Sequence, residues 1–217
     1  MMEYQSVQAR SNWLEVVAVV GTGLLHLLLK PLGLQAVFVI AAVCAWLVYI
    51  VYRTIQKPAI LSNWGFRRTA LGHTFIVTSL LALAAAALMA LFAHATKNFS
   101  ISRDAWPLFV LYPIWGTIQQ FLVQGLVVRN LSLKPIALKP LTLVLVGAVL
   151  FSMAHVPNLS LTFATFCLGL LFVPVYLRFR NLWPLGLYHG WLGALFYLWV
   201  LGRNPWIELF PNFIVTY

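Results

Sequence analysis

Three short stretches of this chain place chemistry-bearing side chains inside long apolar runs. The first reads Trp115-Gly-Thr-Ile-Gln119-Gln120-Phe-Leu-Val-Gln124-Gly125. The second is Phe151-Ser-Met-Ala-His155, closed by Val-Pro157-Asn158. The third is Gly186-Leu-Tyr-His189-Gly190, with Gly193 one helical turn beyond the histidine. Histidine titrates near neutral pH, so His155 and His189 can hold or take a proton in the useful range. A glutamine amide cannot act as a general base, but it can donate and accept hydrogen bonds and so orient a water. On an α-helix Thr117, Gln120 and Gln124 stand at i, i+3 and i+7 and share one face, while Gln119 points about 100° away from Gln120. Gly186 and Gly190 form a small-xxx-small face beside His189, onto which a neighbouring backbone can close. Two histidines without a third ligand fall short of a usual zinc set, so no metal and no cofactor is expected.

Composition dictates the kind of scaffold that must hold these groups. Of 217 residues, 62% are hydrophobic and 8% charged, with mean hydropathy +0.91. A soluble domain is roughly 45–50% apolar and about 25% charged. A soluble globule, a disordered chain and a secreted disulfide scaffold are thereby excluded, and a multi-pass membrane protein remains. Cys44 and Cys167 sit singly in apolar runs and read as small packing residues. The net charge of +10 comes without a basic helix or an RNA-type aromatic motif, so no nucleic-acid partner is expected. The basic residues lie between apolar runs, where they set topology and meet anionic lipid headgroups.

A span needs about 20 largely apolar residues. Such runs occur at 14–29, 34–52, 70–95, 107–131, 141–155, 159–179 and 182–201. They predict an all-α polytopic bundle of about seven spans forming one membrane-embedded domain over 1–217. Pro31 and Gly33 make a tight link between the first two spans, which predicts a helical hairpin. The polar connection 53–69 is expected on the membrane surface, with Trp64 and Phe66 at headgroup level. Trp13, Tyr49, Tyr52, Trp106, Trp183 and Trp206 also fall near span ends, as aromatic belts do, and the stretch 206–217 reads as interfacial. Pro113 and Pro174, inside the fourth and sixth spans, should kink those helices or mark local breaks.

With seven spans, Lys30, Lys97, Arg103 and Arg203 fall on one side and the other ten of the 14 basic residues on the opposite side. The positive-inside rule then puts the N-terminus in the cytoplasm, and the expected location is a plasma (inner) membrane. The four acids, Glu3, Glu15, Asp104 and Glu208, all lie near span ends, in a loop or in a tail. No carboxylate is expected at membrane depth, which argues against an acidic ion pathway or a proton relay.

In their order, the three stretches resemble the motifs of the CAAX protease and bacteriocin-processing (CPBP, or Abi) family of intramembrane endopeptidases. That family carries Glu-Glu-x-x-x-Arg on one helix, Phe-x-x-x-His on the next and His-x-x-x-Asn/Asp on a later one. The resemblance covers about 107–201. Phe151, His155, His189 and Gly125 match. Gln119 and Gln120 stand in place of the two glutamates, Gln124 in place of the arginine and Gly193 in place of the Asn/Asp. By the resemblance, Gln119, Gln120, His155 and His189 occupy the catalytic positions, and Gln124, Phe151 and Gly193 support them. The implied mechanism has a glutamate activate a water that a histidine orients, with the later His and Asn holding the oxyanion.

Here the base and one oxyanion donor are absent, and loss of one such donor costs roughly 10²–10³ in rate in other enzymes. The favoured reading is a weak or inactive relative that binds a membrane peptide, a prenylated protein or a partner transmembrane helix, besides membrane lipids. Two alternatives stand beside it. One is an active intramembrane endopeptidase using His155, His189 and a water held by glutamine. The other is a small transporter or channel, against which the missing carboxylates and the lack of a repeated half weigh. Taken singly, the glutamines also serve as helix-bridging amides, worth about 0.6 kcal/mol on average.

Overall fold

Every element of the chain is helical among the residues described by the computed structural model, 11–99 and 105–206. In chain order these are α1 (Trp13–Leu29), a 3-10 turn (Lys30–Leu32), α2 (Gln35–Gln56), α3 (Ile60–Trp64), α4 (Leu71–Ala95) and α5 (Trp106–Gln120). There follow π-helical turns (Phe121–Val128), α6 (Arg129–Leu131), α7 (Pro140–Met153), α8 (Leu159–Phe179), α9 (Trp183–Leu195) and a second π-helical stretch (Phe196–Val200). Each apolar run read from the sequence is a helix or a helix continued by π turns. Helices over Val37–Gln56, Leu71–Ala95 and Leu159–Phe179 are long and apolar enough to cross a membrane. Trp13–Leu29 and Pro140–Met153 are apolar but shorter. In lipid only a helix satisfies every backbone N–H and C=O internally, which is why these compositions fold this way. Helix α5 runs through Pro113 and α8 runs through Pro174. Glu3, Asp104, Glu208 and the expected interfacial stretch after Trp206 lie outside the described residues.

By its contacts the chain divides into two units, Met1–Lys57 with Val123–Pro174, and Pro58–Leu122 with Val175–Tyr217. In the first, α1 and α2 form the expected hairpin, turned at Gly33 with φ of +72°. Only glycine takes that conformation without steric cost. Near the start of α1 the Glu15 carboxylate accepts hydrogen bonds from the Tyr49 hydroxyl on α2 and from Asn130 Nδ2 on α6. Helix α8 starts at an Asn158 cap whose Oδ1 accepts from Leu161 N at 3.0 Å.

In the second unit, α5 and α9 form the most extensive helix pair and α4 packs on α9. The Ser79 and Tyr188 hydroxyls join α4 to α9 at 2.6 Å, and Trp191 Nε1 donates to Phe109 O at 3.0 Å. At one end of the pair Ala93, Ala105, Leu108, Ala194, Leu198 and Trp199 form a buried apolar cluster. At the other, Trp64 departs from its expected place. It is 0% exposed, its ring meets Phe121 edge-on at 5.1 Å, and its carbonyl accepts from the Tyr176 hydroxyl. Trp64 therefore faces the protein core and not the lipid, and Tyr49 likewise spends its hydroxyl on Glu15. Trp13, Tyr52, Trp106 and Trp183 are exposed, as belt residues are.

Candidate functional site

The geometry around His189 begins with three glycines. A Cβ on Gly190 would lie 2.3 Å from Pro113 N, one on Gly186 2.5 Å from Thr117 Cα, and one on Gly116 2.6 Å from Gly186 O. The backbones of α5 and α9 therefore touch, an approach that only residues without a side chain allow. Pro113 helps from the other side, because it offers Gly190 a ring nitrogen with no N–H. This contact carries His189, 6% exposed, against the α5 backbone, where its Nδ1 lies 3.3 Å from Gly116 O and 3.4 Å from Gln120 Nε2.

These two contacts select different ring tautomers. A protonated Nδ1 donates to the Gly116 carbonyl and leaves the lone pair on Nε2, whereas an unprotonated Nδ1 accepts from the Gln120 amide. Gln120 is 2% exposed, while Gln119 is only half-buried. Two of the sequence candidates, Gln120 and His189, are thus brought together. Gly193 stands one turn beyond His189, and a Cβ there would meet Tyr112 Cδ1 at 3.5 Å, an ordinary contact.

In the first unit, His155 sits just past the end of α7, in the turn that Pro157 closes. Its Nδ1 is 3.0 Å from Phe151 O, and since a carbonyl only accepts, Nδ1 carries the proton and donates. The Phe151 ring stands edge-on to the imidazole with centroids 5.4 Å apart. Phe151 therefore orients His155 twice, through its carbonyl and through its ring. Gln124 is buried, 1% exposed, within the π-helical turns. Those turns correct one expectation: the 3.6-residue period that put Gln120 and Gln124 on one face does not run through Phe121–Val128. Such π segments occur often at functional sites.

Sequence reasoning missed Glu15. Read as a residue near a span end, it is 4% exposed and bonded to Tyr49 and Asn130. Asn130 also donates to Leu126 O at 2.7 Å and accepts from Asn12 N at 2.8 Å and Arg129 Nη1 at 3.3 Å. The available signal was the acid itself. A carboxylate between Leu14 and Val16 at the head of an apolar run must find donors. Among the described residues, no three His, Cys, Asp or Glu side chains gather where they could hold a metal ion.

With this geometry in view, residues 101–195 match the family model described as type II CAAX prenyl endopeptidase Rce1-like. The matched stretch contains every motif position from Gln119 to Gly193. No curated protein and no solved structure matches the chain.

Proposed function

We propose that this chain, a member of the CAAX protease family through its Rce1-like residues 101–195, holds a neutralised form of the family's centre and binds a membrane peptide or prenylated protein with little or no cleavage. The observation that carries this reading is the buried Gln120–His189 pair. The motif's glutamate position meets the later histidine, and the side chain there is an amide. General base catalysis asks for a group that exchanges a proton near the working pH, and an amide does not. The described residues of that unit include no carboxylate that could substitute. Gly193 supplies no side-chain donor for an oxyanion, although a Cβ there would meet Tyr112 only at ordinary contact distance.

The setting that goes with this reading is a plasma (inner) membrane crossed seven times, with a cytoplasmic N-terminus that the charge distribution supports. The test uses purified full-length protein and a farnesylated CAAX peptide. The expected outcome is binding that depends on the prenyl group, and turnover no greater than that of a His155→Ala/His189→Ala variant. Robust turnover abolished by either histidine substitution would replace this reading with an active endopeptidase that works through histidine and a glutamine-held water. Absence of both binding and turnover would remove the substrate class altogether.

A further inference from the structure

We propose that residues 65–69 together with 178–183 form a binding site for the phosphate of an anionic phospholipid headgroup, built on Arg67, Arg68, Arg178 and Arg180. Two basic pairs, separated by more than a hundred residues in the chain, are clasped together by hydrogen bonds. Leu182 N donates to Gly65 O at 2.9 Å, and the buried Asn181 donates through Nδ2 to Arg67 O at 2.7 Å and Thr69 O at 3.1 Å. Arg67 Nη2 donates to Phe179 O at 2.8 Å, satisfying a carbonyl at the end of α8. Asn181 Oδ1 in turn accepts from Trp183 N, the first residue of α9, at 3.2 Å. The clasp is therefore held by an asparagine that has no exposed surface, and it fixes where all four arginines start.

Two of the side chains that leave this clasp stand beside aromatic rings. Arg178 lies over the Phe179 ring at 5.7 Å and Arg180 over the Tyr176 ring at 5.3 Å. A ring beside a guanidinium restrains it by a cation–π contact and leaves N–H groups that can pair with phosphate. Arg68 and Arg178 are exposed, and the described residues of this unit contain no carboxylate.

Two further features set the depth and the source of the anion. The site lies where α4 and α9 begin and α8 ends, at the mouth of apolar helices. Exposed Trp183, packed edge-on against Phe66 at 5.2 Å, supplies the ring that settles at headgroup level. A phosphate carried by the bilayer itself meets both features, and an anionic lipid such as phosphatidylglycerol adds the net charge that phosphatidylcholine lacks. Whether the chain cleaves peptides has no bearing on this site.

The test is native mass spectrometry of the full-length protein in detergent, supplied with equal amounts of phosphatidylglycerol and phosphatidylcholine. Wild type is expected to retain phosphatidylglycerol preferentially. Each surface arginine contributes about a fivefold gain in affinity for an anionic surface, so R68Q/R178Q should weaken retention about 25-fold. K134Q/K139Q removes the same charge from two exposed lysines elsewhere and should change retention less than about twofold. If the double arginine variant loses helix content, the single variants R68Q and R178Q replace it, each expected at about fivefold. Equal loss in the lysine variant would overturn the site in favour of bulk charge. Equal retention of the two lipids would overturn it outright. Displacement of the lipid by millimolar inorganic phosphate would make it a free-anion site and overturn the lipid assignment.

Discussion

Gly190→Ala is the sharpest test of how His189 is positioned. The new methyl would stand 2.3 Å from Pro113 N and 2.4 Å from both Pro113 Cα and Tyr112 C, all backbone atoms that cannot rotate away. Ordinary contact begins at 3.4 Å, so α5 and α9 must part by about 1 Å along their closest line. Overpacking of this kind costs typically 1–3 kcal/mol, and the rigidity of the obstructing atoms argues for the upper end, about 3 kcal/mol. In a chain of this size each kcal/mol moves the melting temperature by roughly 2–4 °C, so a fall of about 6–12 °C is expected.

The same helix provides the control. At Gly193 the methyl would meet Tyr112 Cδ1 at 3.5 Å and Cε1 at 3.8 Å, and alanine is favoured over glycine in a helix by about 1 kcal/mol. Gly193→Ala should therefore melt at or slightly above wild type. Melting of the two variants in one detergent, followed by tryptophan fluorescence, decides the matter. A Gly190→Ala protein as stable as wild type would mean that α5 and α9 do not meet through this face. The contact that brings His189 to Gly116 would then be wrong as well.

Tyr49→Phe deletes a donor to the buried Glu15 carboxylate and should cost about 1.5–3 kcal/mol of stability in denaturant titration; an unchanged midpoint would mean that water already serves that carboxylate. Gln120→Glu buries a carboxylate beside the His189 imidazole, where the amide is 2% exposed, and should lower the melting temperature at neutral pH; an unchanged curve would show that solvent reaches the site or that His189 charges to pair with it. Cysteine labelling in intact cells should find Lys134 and Lys139, on the loop before α7, in the cytoplasm; labelling from outside would overturn the seven-span orientation.

The parts of the fold that could be read from the residues are those governed by one dominant force. Runs of about 20 apolar residues have no good alternative to a membrane helix, so their positions followed from hydropathy alone. The Gly186–Gly190 face announced a close neighbour because missing side chains serve little else in a helix interior. That the neighbour is Gly116 on α5 could not be read, since any helix with a small residue would satisfy the pattern.

Trp64 shows the opposite case. An aromatic near a span end has the same local signature whether it anchors at the interface or fills the core, and only the arrival of Phe121 and Tyr176 decides. Glu15 does lie near a span end, in the first turn of α1, but its partners could not be read, because Tyr49 and Asn130 are remote in sequence. The π-helical turns after Gln120 were also invisible, since composition does not mark a change from i→i−4 to i→i−5 bonding. His155 fared better: Pro157 marked the end of α7, and the histidine lies in the turn between them.

The positions that match the family motif and those that depart from it divide by the kind of work they do in this structure. Phe151 and His155 are bound to each other through a carbonyl and an edge-on ring, and His189 is held by a backbone carbonyl at a glycine-built helix contact. None of these contacts needs a charged partner. The departing positions, Gln119, Gln120, Gln124 and Gly193, are those where the motif asks for carboxylates, an arginine and an amide or acid. Charges at membrane depth are tolerated only in balance, because each one alone costs more than the contacts around it return. A chain that carries amides at both the acidic and the basic positions keeps that balance. The helices here form without the motif's carboxylates, and an Rce1-like match over residues 101–195 is by itself no evidence of peptidase turnover.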